Sequence, residues 1–87
     1  MGRAMKITTA RSLASAIRDY RKNQHLTQKE VSERVGMKQA TVSGFENNPD
    51  NSKLETLFKL LASLELELHI SPRNMTISQT SQWKEEW

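Results

Sequence analysis

The chain has 87 residues, no cysteine, 36% hydrophobic residues and a mean hydropathy of −0.71. These values limit it to one small domain with little apolar material for a core, and they exclude disulfides and thiolate metal sites. The formal net charge is +3, but Met1–Lys38 carries nine basic and three acidic residues, whereas Gln39–Trp87 carries four and seven. A basic first half is suited to contact with phosphates, although a solvated charged surface has the same composition.

The low apolar content indicates that part of the chain is disordered or that a second copy completes its burial. No apolar stretch approaches the roughly 20 residues that span a bilayer, and no signal peptide is recognisable. We therefore expect a cytoplasmic protein.

Two helices are predicted in the basic half. Thr9 is a candidate N-cap for a first helix over Ala10 to Asn23, in which apolar positions recur at helical spacing. Thr27-Gln28-Lys29-Glu30 has the pattern of a capping box and predicts the start of a second helix. Gly36 stands where this second helix must stop, because glycine tolerates the left-handed conformation common at helix ends.

Two further helices follow. The third is predicted over Gln39 to Glu46, with Val42 and Phe45 facing inward. Ser52 is a candidate cap for a fourth helix over Lys53 to Leu64. One apolar stripe of this helix is expected to face the core, and it comprises Leu54, Leu57, Phe58, Leu61 and Leu64.

The segment Leu64–Ile70 alternates strictly between apolar and polar residues, which indicates a strand with one buried face. Such a strand at Leu66–Ile70 has no partner in the chain, so we expect it to pair with the same strand of a second copy around a two-fold axis. The predicted dimerisation residues are Leu64, Leu66, Leu68 and Ile70, while Glu65, Glu67 and His69 would face water. The alternative is that the fourth helix continues through Glu67, since leucine and glutamate both favour helices.

Residues 28 to 47 have the pattern of a helix-turn-helix, in which two short helices meet at a turn that contains glycine. Ser32 is small enough for the position where the two helices touch, and Gly36 avoids a Cβ clash in the turn. Apolar side chains at the expected spacing would brace both helices, namely Val31, Val35, Met37, Val42 and Phe45. The second helix of such a unit presents its outer face to a major groove of DNA.

The stretch LTQKEVSERVGMKQATVSGFEN (Leu26–Asn47), together with the helices on either side, resembles the lambda-repressor-like (Cro/C1, or xenobiotic-response-element) family. The resemblance implies an all-α bundle of four to five short helices, here with one C-terminal strand that pairs across a dimer. It also implies a transcriptional repressor that binds palindromic operator DNA. Ser32 departs from the family, which most often has alanine there, and we expect only a minor change in packing.

The family geometry implies which side chains meet DNA. Base contacts are expected from Lys38, Gln39, Ala40 and Ser43, with Gln39 suited to adenine and Lys38 to guanine. Phosphate contacts are expected from Thr27, Gln28, Lys29, Thr41 and Asn47. The alternative is that the lysines are ordinary surface residues and that the hydroxyl groups only cap or solvate helices.

Residues 72–87 are polar and are expected to form a disordered tail. Trp83 and Trp87 in this tail are candidate anchors for a partner's pocket or for a protease, although an inert end would have the same composition. The run KQATVSGFENNPDN, the SLELELHI strand and the final Glu86-Trp87 are similar to those of HipB-type antitoxins. This resemblance implies a HipA-type serine/threonine kinase toxin as partner, and repression of the chain's own operon.

The expected division is an N-terminal arm over 1–8, a helix-turn-helix domain over 9–65, a dimerisation strand over 66–71 and the tail. A repressor without a toxin partner, stand-alone or from a phage, has the same helix-turn-helix and remains an alternative. A protein-interaction module is a second alternative, against which the polar Lys38, Gln39 and Ser43 argue. We do not expect an enzyme, a metal or a cofactor, because His25 and His69 are solitary and no nucleophile–base set is recognisable.

Overall fold

The structure is a computed structural model that describes residues 5–73. Its elements are α1 (Ala10–Asn23), α2 (Gln28–Arg34), α3 (Gln39–Asn47), a 3₁₀ turn (Pro49–Asn51) and α4 (Leu54–Ser63). All regular structure in the described part of the chain is helical, which confirms the predicted bundle of four to five short helices. None of these helices is long and apolar enough to cross a membrane.

Side-chain caps fix the starts of α1 and α2. The Thr9 hydroxyl accepts a hydrogen bond from the Ser12 amide at 3.0 Å, and Thr27 and Glu30 form the predicted capping box. The predicted fourth helix is present, from Leu54 to Ser63, but its predicted cap at Ser52 is wrong: the N-cap is Lys53, which makes no side-chain cap. The reason is the preceding 3₁₀ turn, because the Ser52 amide closes that turn on the Pro49 carbonyl at 3.0 Å.

Three of the helices end in the same way, with one residue in the left-handed region. These residues are His25 (φ 61°), Gly36 (φ 66°) and Glu65 (φ 58°). The amide of the next residue then bonds to a carbonyl five positions back, in the pairs Leu26–Arg21 (3.1 Å), Met37–Ser32 (2.8 Å) and Leu66–Leu61 (2.8 Å). A second bond completes the Schellman motif at the ends of α1 (His25–Lys22, 2.9 Å) and α4 (Glu65–Ala62, 3.0 Å). At all three ends the turn brings a half-buried apolar side chain back onto the core. The alternative in which α4 continues through Glu67 is thereby wrong.

One core holds the helices together. Its buried apolar side chains come from all four α-helices and from the residue that caps α4, and they are Ala14, Ile17, Val31, Val42, Phe45, Leu57, Leu60, Leu61 and Leu64. Val31, Val42 and Leu60 are fully buried, so the centre of the core lies where α2 and α3 meet α4. The packing therefore fixes the relative position of the two short helices α2 and α3.

Part of the predicted core is exposed. Leu54 and Phe58, which the sequence placed on the buried stripe of α4, are 72% and 52% exposed, because only the Leu57, Leu60 and Leu61 side of the helix meets the other helices. Leu64 is buried within the chain's own core.

After α4 the chain has no regular structure up to Arg73, where the described residues end. Leu66 is half-buried against the core, whereas Leu68 and Ile70 are exposed. Within residues 5–73 the predicted strand thus has no pairing partner. The predicted tail lies outside the described residues from position 74 onward.

Gly36→Ala and Gly44→Ala are predicted to change stability in opposite directions. A Cβ at either position meets no atom within 4 Å, so only the backbone conformation distinguishes them. Gly36 has positive φ, and alanine there should lower the free energy of unfolding by about 1 kcal/mol. Gly44 lies inside α3, where alanine should raise it by roughly 0.5–1 kcal/mol.

Thermal unfolding measures this difference, since about 1 kcal/mol shifts the Tm of a domain of this size by roughly 4–8 °C. Shifts of the same sign in the two variants would contradict the assignment of Gly36 to the left-handed turn.

Candidate nucleic-acid interface

The start of α2 is fixed by reciprocal hydrogen bonds. The Glu30 amide donates to the Thr27 hydroxyl at 3.0 Å, and the Thr27 amide donates to the Glu30 carboxylate at 2.8 Å. The hydrogen bonds from the Thr27 amide and hydroxyl lower the pKa of Glu30, as does the nearby charge of Arg34. The exposed Thr27 and Lys29 are therefore held at the first turn of a well-capped helix.

The turn between α2 and α3 is built from Gly36 and Ser32. The left-handed Gly36 lets the Met37 amide reach the Ser32 carbonyl at 2.8 Å. The Ser32 side chain is buried, and its hydroxyl donates to the Lys29 carbonyl at 2.7 Å. Serine thus occupies the predicted small-residue position without an unsatisfied polar group.

The four residues predicted to contact bases lie at the start and on the outer part of α3. Lys38 is its exposed N-cap, and Gln39 and Ala40 are exposed in its first turn. Ser43 is half-buried one turn later, where its hydroxyl accepts from the Asn47 side-chain amide at 3.1 Å. Val42 and Phe45 hold the opposite face of α3 in the core, so the polar face points outward.

The five predicted phosphate contacts fall into two groups. Thr27, Gln28 and Lys29 lie at the start of α2, whereas Thr41 and Asn47 are exposed on α3. Gln28 joins α2 to α3, because its side-chain amide donates to the Glu46 carboxylate at 3.0 Å.

The predicted dimerisation residues follow α4 and lie away from these groups. The end of α4 is tied to the far end of α2, since the Arg34 guanidinium donates to the Ser63 carbonyl at 2.8 Å. Trp83 and Trp87 lie outside the described residues. Among residues 5–73 there is no group of three or more His, Asp or Glu side chains that could hold a metal.

The structure also shows a buried ion pair that the sequence analysis did not identify. Arg21 Nε and Nη2 donate to the two carboxylate oxygens of Glu46 at 2.8 and 3.0 Å, and the two side chains are 9% and 3% exposed. The third donor of Arg21, Nη1, bonds to the Leu26 carbonyl at 2.8 Å. One signal was present in the sequence, because Arg21 falls at helical spacing on the apolar side of α1.

The pKa of Glu46 reflects opposing effects. Burial raises it, whereas the hydrogen bonds from Arg21 and Gln28 and the charges of Arg21 and Arg18 lower it, and the net effect is a lowered pKa. Glu46 is therefore an anion at neutral pH, and its bidentate partner compensates its charge.

These features define the class of domain. Two short helices meet at a turn with a left-handed glycine, and the second of them turns a polar face to solvent while its other face is buried in the core. This is the helix-turn-helix arrangement by which DNA-binding domains place a recognition helix in the major groove.

Comparison with known proteins agrees with this class. A family model described as helix-turn-helix matches residues 17–70. The chain is 43% identical over 83 residues to the antitoxin HipB of Escherichia coli (strain K12), and the match covers 94% of each chain. The chain therefore belongs to the helix-turn-helix family and, within it, to the HipB-type antitoxins.

Two solved structures show the same fold. One is a HipA-HipB-O2-O3 complex, with a TM-score of 0.80 and 44% identity over 82% of this chain and 100% of the other. The other is a HipB-O4 20mer complex, with the same TM-score, identity and coverage.

Membership of this family confirms the prediction of a regulator and not an enzyme.

Proposed function

We propose that this chain is a DNA-binding antitoxin that represses its own operon and restrains a HipA-type serine/threonine kinase toxin. The outward polar face of α3, held in place by the buried Val42 and Phe45, is the observation that carries the proposal. Relatives at 44% identity occur in a HipA-HipB-O2-O3 complex and in a HipB-O4 20mer complex. These complexes support operator DNA and a HipA-type toxin as partners. Binding to an operator places the action of the chain at the chromosome.

In this proposal α3 enters the major groove. Gln39 donates to and accepts from an adenine edge, Lys38 donates to guanine, Ala40 contacts a thymine methyl group, and Ser43 bonds to a base edge. Five polar side chains bind backbone phosphates and set the register of the protein on DNA. They lie at the start of α2 (Thr27, Gln28 and Lys29) and on α3 (Thr41 and Asn47). Basic side chains exposed on the first half of the chain add sequence-independent attraction.

Dimerisation through residues 66–71 is the second part of the proposal. Two helix-turn-helix units are needed for a palindromic site, and an extended segment pairs readily with its symmetry mate. The exposed Leu68 and Ile70 lie on this segment, and the exposed Leu54 and Phe58 offer apolar surface on the preceding α4. Burial of these side chains between two copies removes them from water, and Leu64 and Leu66 support the segment from beneath.

The third part concerns residues 72–87, which we propose as the segment that engages a partner. Trp83 and Trp87 offer large apolar area with few rotamers, and such residues often anchor complexes. A polar tail is also a suitable place for a protease to engage. In this division residues 1–8 are an arm, and residues 9–65 are the domain that binds DNA.

Gln39→Ala is predicted to relax the sequence preference of operator binding. Loss of one bidentate base contact per half-site should weaken specific binding by about tenfold or more and leave non-specific binding unchanged. Titration of the chain's own upstream DNA and of a scrambled duplex, each across a salt series, measures both quantities.

Gln24→Ala is the matched control, because Gln24 is exposed at the end of α1 and outside the proposed interface. Binding that is indifferent to DNA sequence and to Gln39 would contradict the repressor function, as would a stoichiometry other than one dimer per palindrome.

Leu68→Asp is predicted to separate the dimer, because it places a charge on the apolar face of the paired strands. His69→Asn introduces a polar side chain at the next residue, on the face expected to meet water, without adding an acid beside Glu67, and should leave the dimer intact. Sedimentation equilibrium measures the oligomeric state, and circular dichroism verifies that the helices remain. A wild-type monomer, or equal effects of the two substitutions, would count against the strand pairing.

Trp87→Ala and Trp83→Ala are predicted to reduce co-purification of a HipA-type kinase expressed together with this chain, while operator binding stays unchanged. Gln82→Ala is the control in the same segment. Undiminished capture of the kinase by both tryptophan variants would assign its binding to the folded domain instead.

A further inference from the structure

The Glu46 carboxylate accepts three hydrogen bonds from two other helices. Two come from Arg21 of α1, at 2.8 and 3.0 Å, and one comes from the side-chain amide nitrogen of Gln28 of α2, at 3.0 Å. Glu46 itself belongs to α3, so one side chain joins the recognition helix to the residue proposed to bind a phosphate at the start of α2.

This arrangement fixes which way the Gln28 amide faces. An ionised carboxylate is only an acceptor, so the amide must present its nitrogen to Glu46, and its oxygen must point elsewhere. The nitrogen carries two hydrogens, and the bond to Glu46 uses one of them. A phosphate oxygen is also only an acceptor, and the second N–H of Gln28 is the donor that such a ligand requires.

The ion pair removes an electrostatic obstacle. A bare carboxylate one hydrogen bond away from a phosphate-binding amide would repel the phosphate. The bidentate Arg21 guanidinium balances that charge, and the exposed Arg18 lies one turn earlier on α1 with a further positive charge. Glu46 can therefore orient Gln28 without weakening the attraction of the surface for DNA.

We propose that Glu46 is a positioning residue for DNA binding, which holds the Gln28 amide with one N–H directed to a backbone phosphate while Arg21 compensates its charge. The inference rests on the proposed function, because it requires that Gln28 contact DNA. In this inference Glu46 touches no DNA itself. Through its hydrogen bond to Gln28 it joins phosphate binding at the start of α2 to the placement of α3.

A double-mutant cycle tests the proposal, with Gln28→Ala, Glu46→Gln and the double variant titrated against operator DNA. Each single change should weaken binding by about three- to tenfold per half-site, the size of one hydrogen bond, and hence by about ten- to hundredfold for a dimer on both half-sites. In the Gln28→Ala background, Glu46→Gln should reduce the affinity by a smaller factor than in the wild-type background, and the remaining effect reports the role of the Arg21–Glu46 pair in placing α3. For Gln28→Ala the salt dependence should stay as in wild type, because Gln28 carries no charge.

A merely structural role gives a different result. If Glu46 only stabilises the fold, Glu46→Gln reduces the affinity by the same factor in both backgrounds, and that additivity would overturn the proposal. Thermal unfolding of each variant verifies that the titrations are made on folded protein. Wild-type protein with no operator preference would instead overturn the proposed function itself.

Proton exchange at the Gln28 side chain of the wild-type protein provides a test that needs no folded Glu46 variant. In the free protein, one Nε2 proton should exchange slowly with solvent because it is hydrogen-bonded to Glu46. In the operator complex both Nε2 protons should exchange slowly, because the second one is then bonded to a phosphate. If the proton bonded to Glu46 becomes fast-exchanging when DNA binds, Gln28 has left Glu46, and the positioning role is overturned. If that proton stays protected and the second proton also becomes protected, the positioning role is supported.

Discussion

The buried ion pair between Arg21 and Glu46 is the interaction on which the arrangement of this domain depends. It joins the last turn of α1 to the last turn of α3, and the remaining donor of Arg21 holds the Leu26 carbonyl in the connection that leads to α2. A buried pair gains little net stability over apolar residues of the same size, because both ions lose their hydration. Its value lies in geometry, since a bidentate guanidinium accepts one relative placement of the two helices and an apolar contact tolerates several. In a chain without cysteine and with a small core, this restriction fixes the interface that α3 presents.

The sequence predicted a helix boundary correctly where a capping side chain or a glycine determines it. Thr9 and the Thr27–Glu30 box start α1 and α2, and Gly36 ends the turn that follows α2. The sequence predicted the end of α1 at Asn23 and the end of α4 one residue late, at Leu64, but it did not predict how these helices end. His25 and Glu65 adopt the left-handed conformation at a backbone cost, which is larger for glutamate than for histidine. Burial of the next side chain, Leu26 or Leu66, offsets the backbone cost, and that burial depends on the complete tertiary structure.

The same limit explains the site. Residue types and spacing identified the outward positions of α3 and the start of α2, because a helix-turn-helix constrains both within about 20 residues of sequence. The Arg21–Glu46 pair joins positions 25 residues apart, and no local pattern relates them. The one sign of the pair in the sequence is the charged Arg21 on the apolar stripe of α1, and this sign does not identify Glu46 as its partner. Gln28 was assigned to phosphate by family resemblance, and only the structure shows that α3 holds its amide.

Leu54 and Phe58 show what hydrophobic periodicity measures. Their spacing on α4 matches that of buried residues, yet they are exposed, because one short helix can bury only the side that faces its neighbours α2 and α3. The sequence pattern predicted that both side chains lie in the core of a single copy, and this prediction is wrong; in the proposed dimer a second copy covers them. The exposed Leu54 and Phe58, together with the exposed Leu68 and Ile70 after α4, provide apolar surface that a second copy can cover. The proposed dimer thus accounts together for the exposed face of α4, the unpaired segment after it and the low apolar content of the chain. Dimerisation would also set the distance between two copies of α3, so the apolar surface left over from folding would determine the spacing of operator half-sites that the protein can bind.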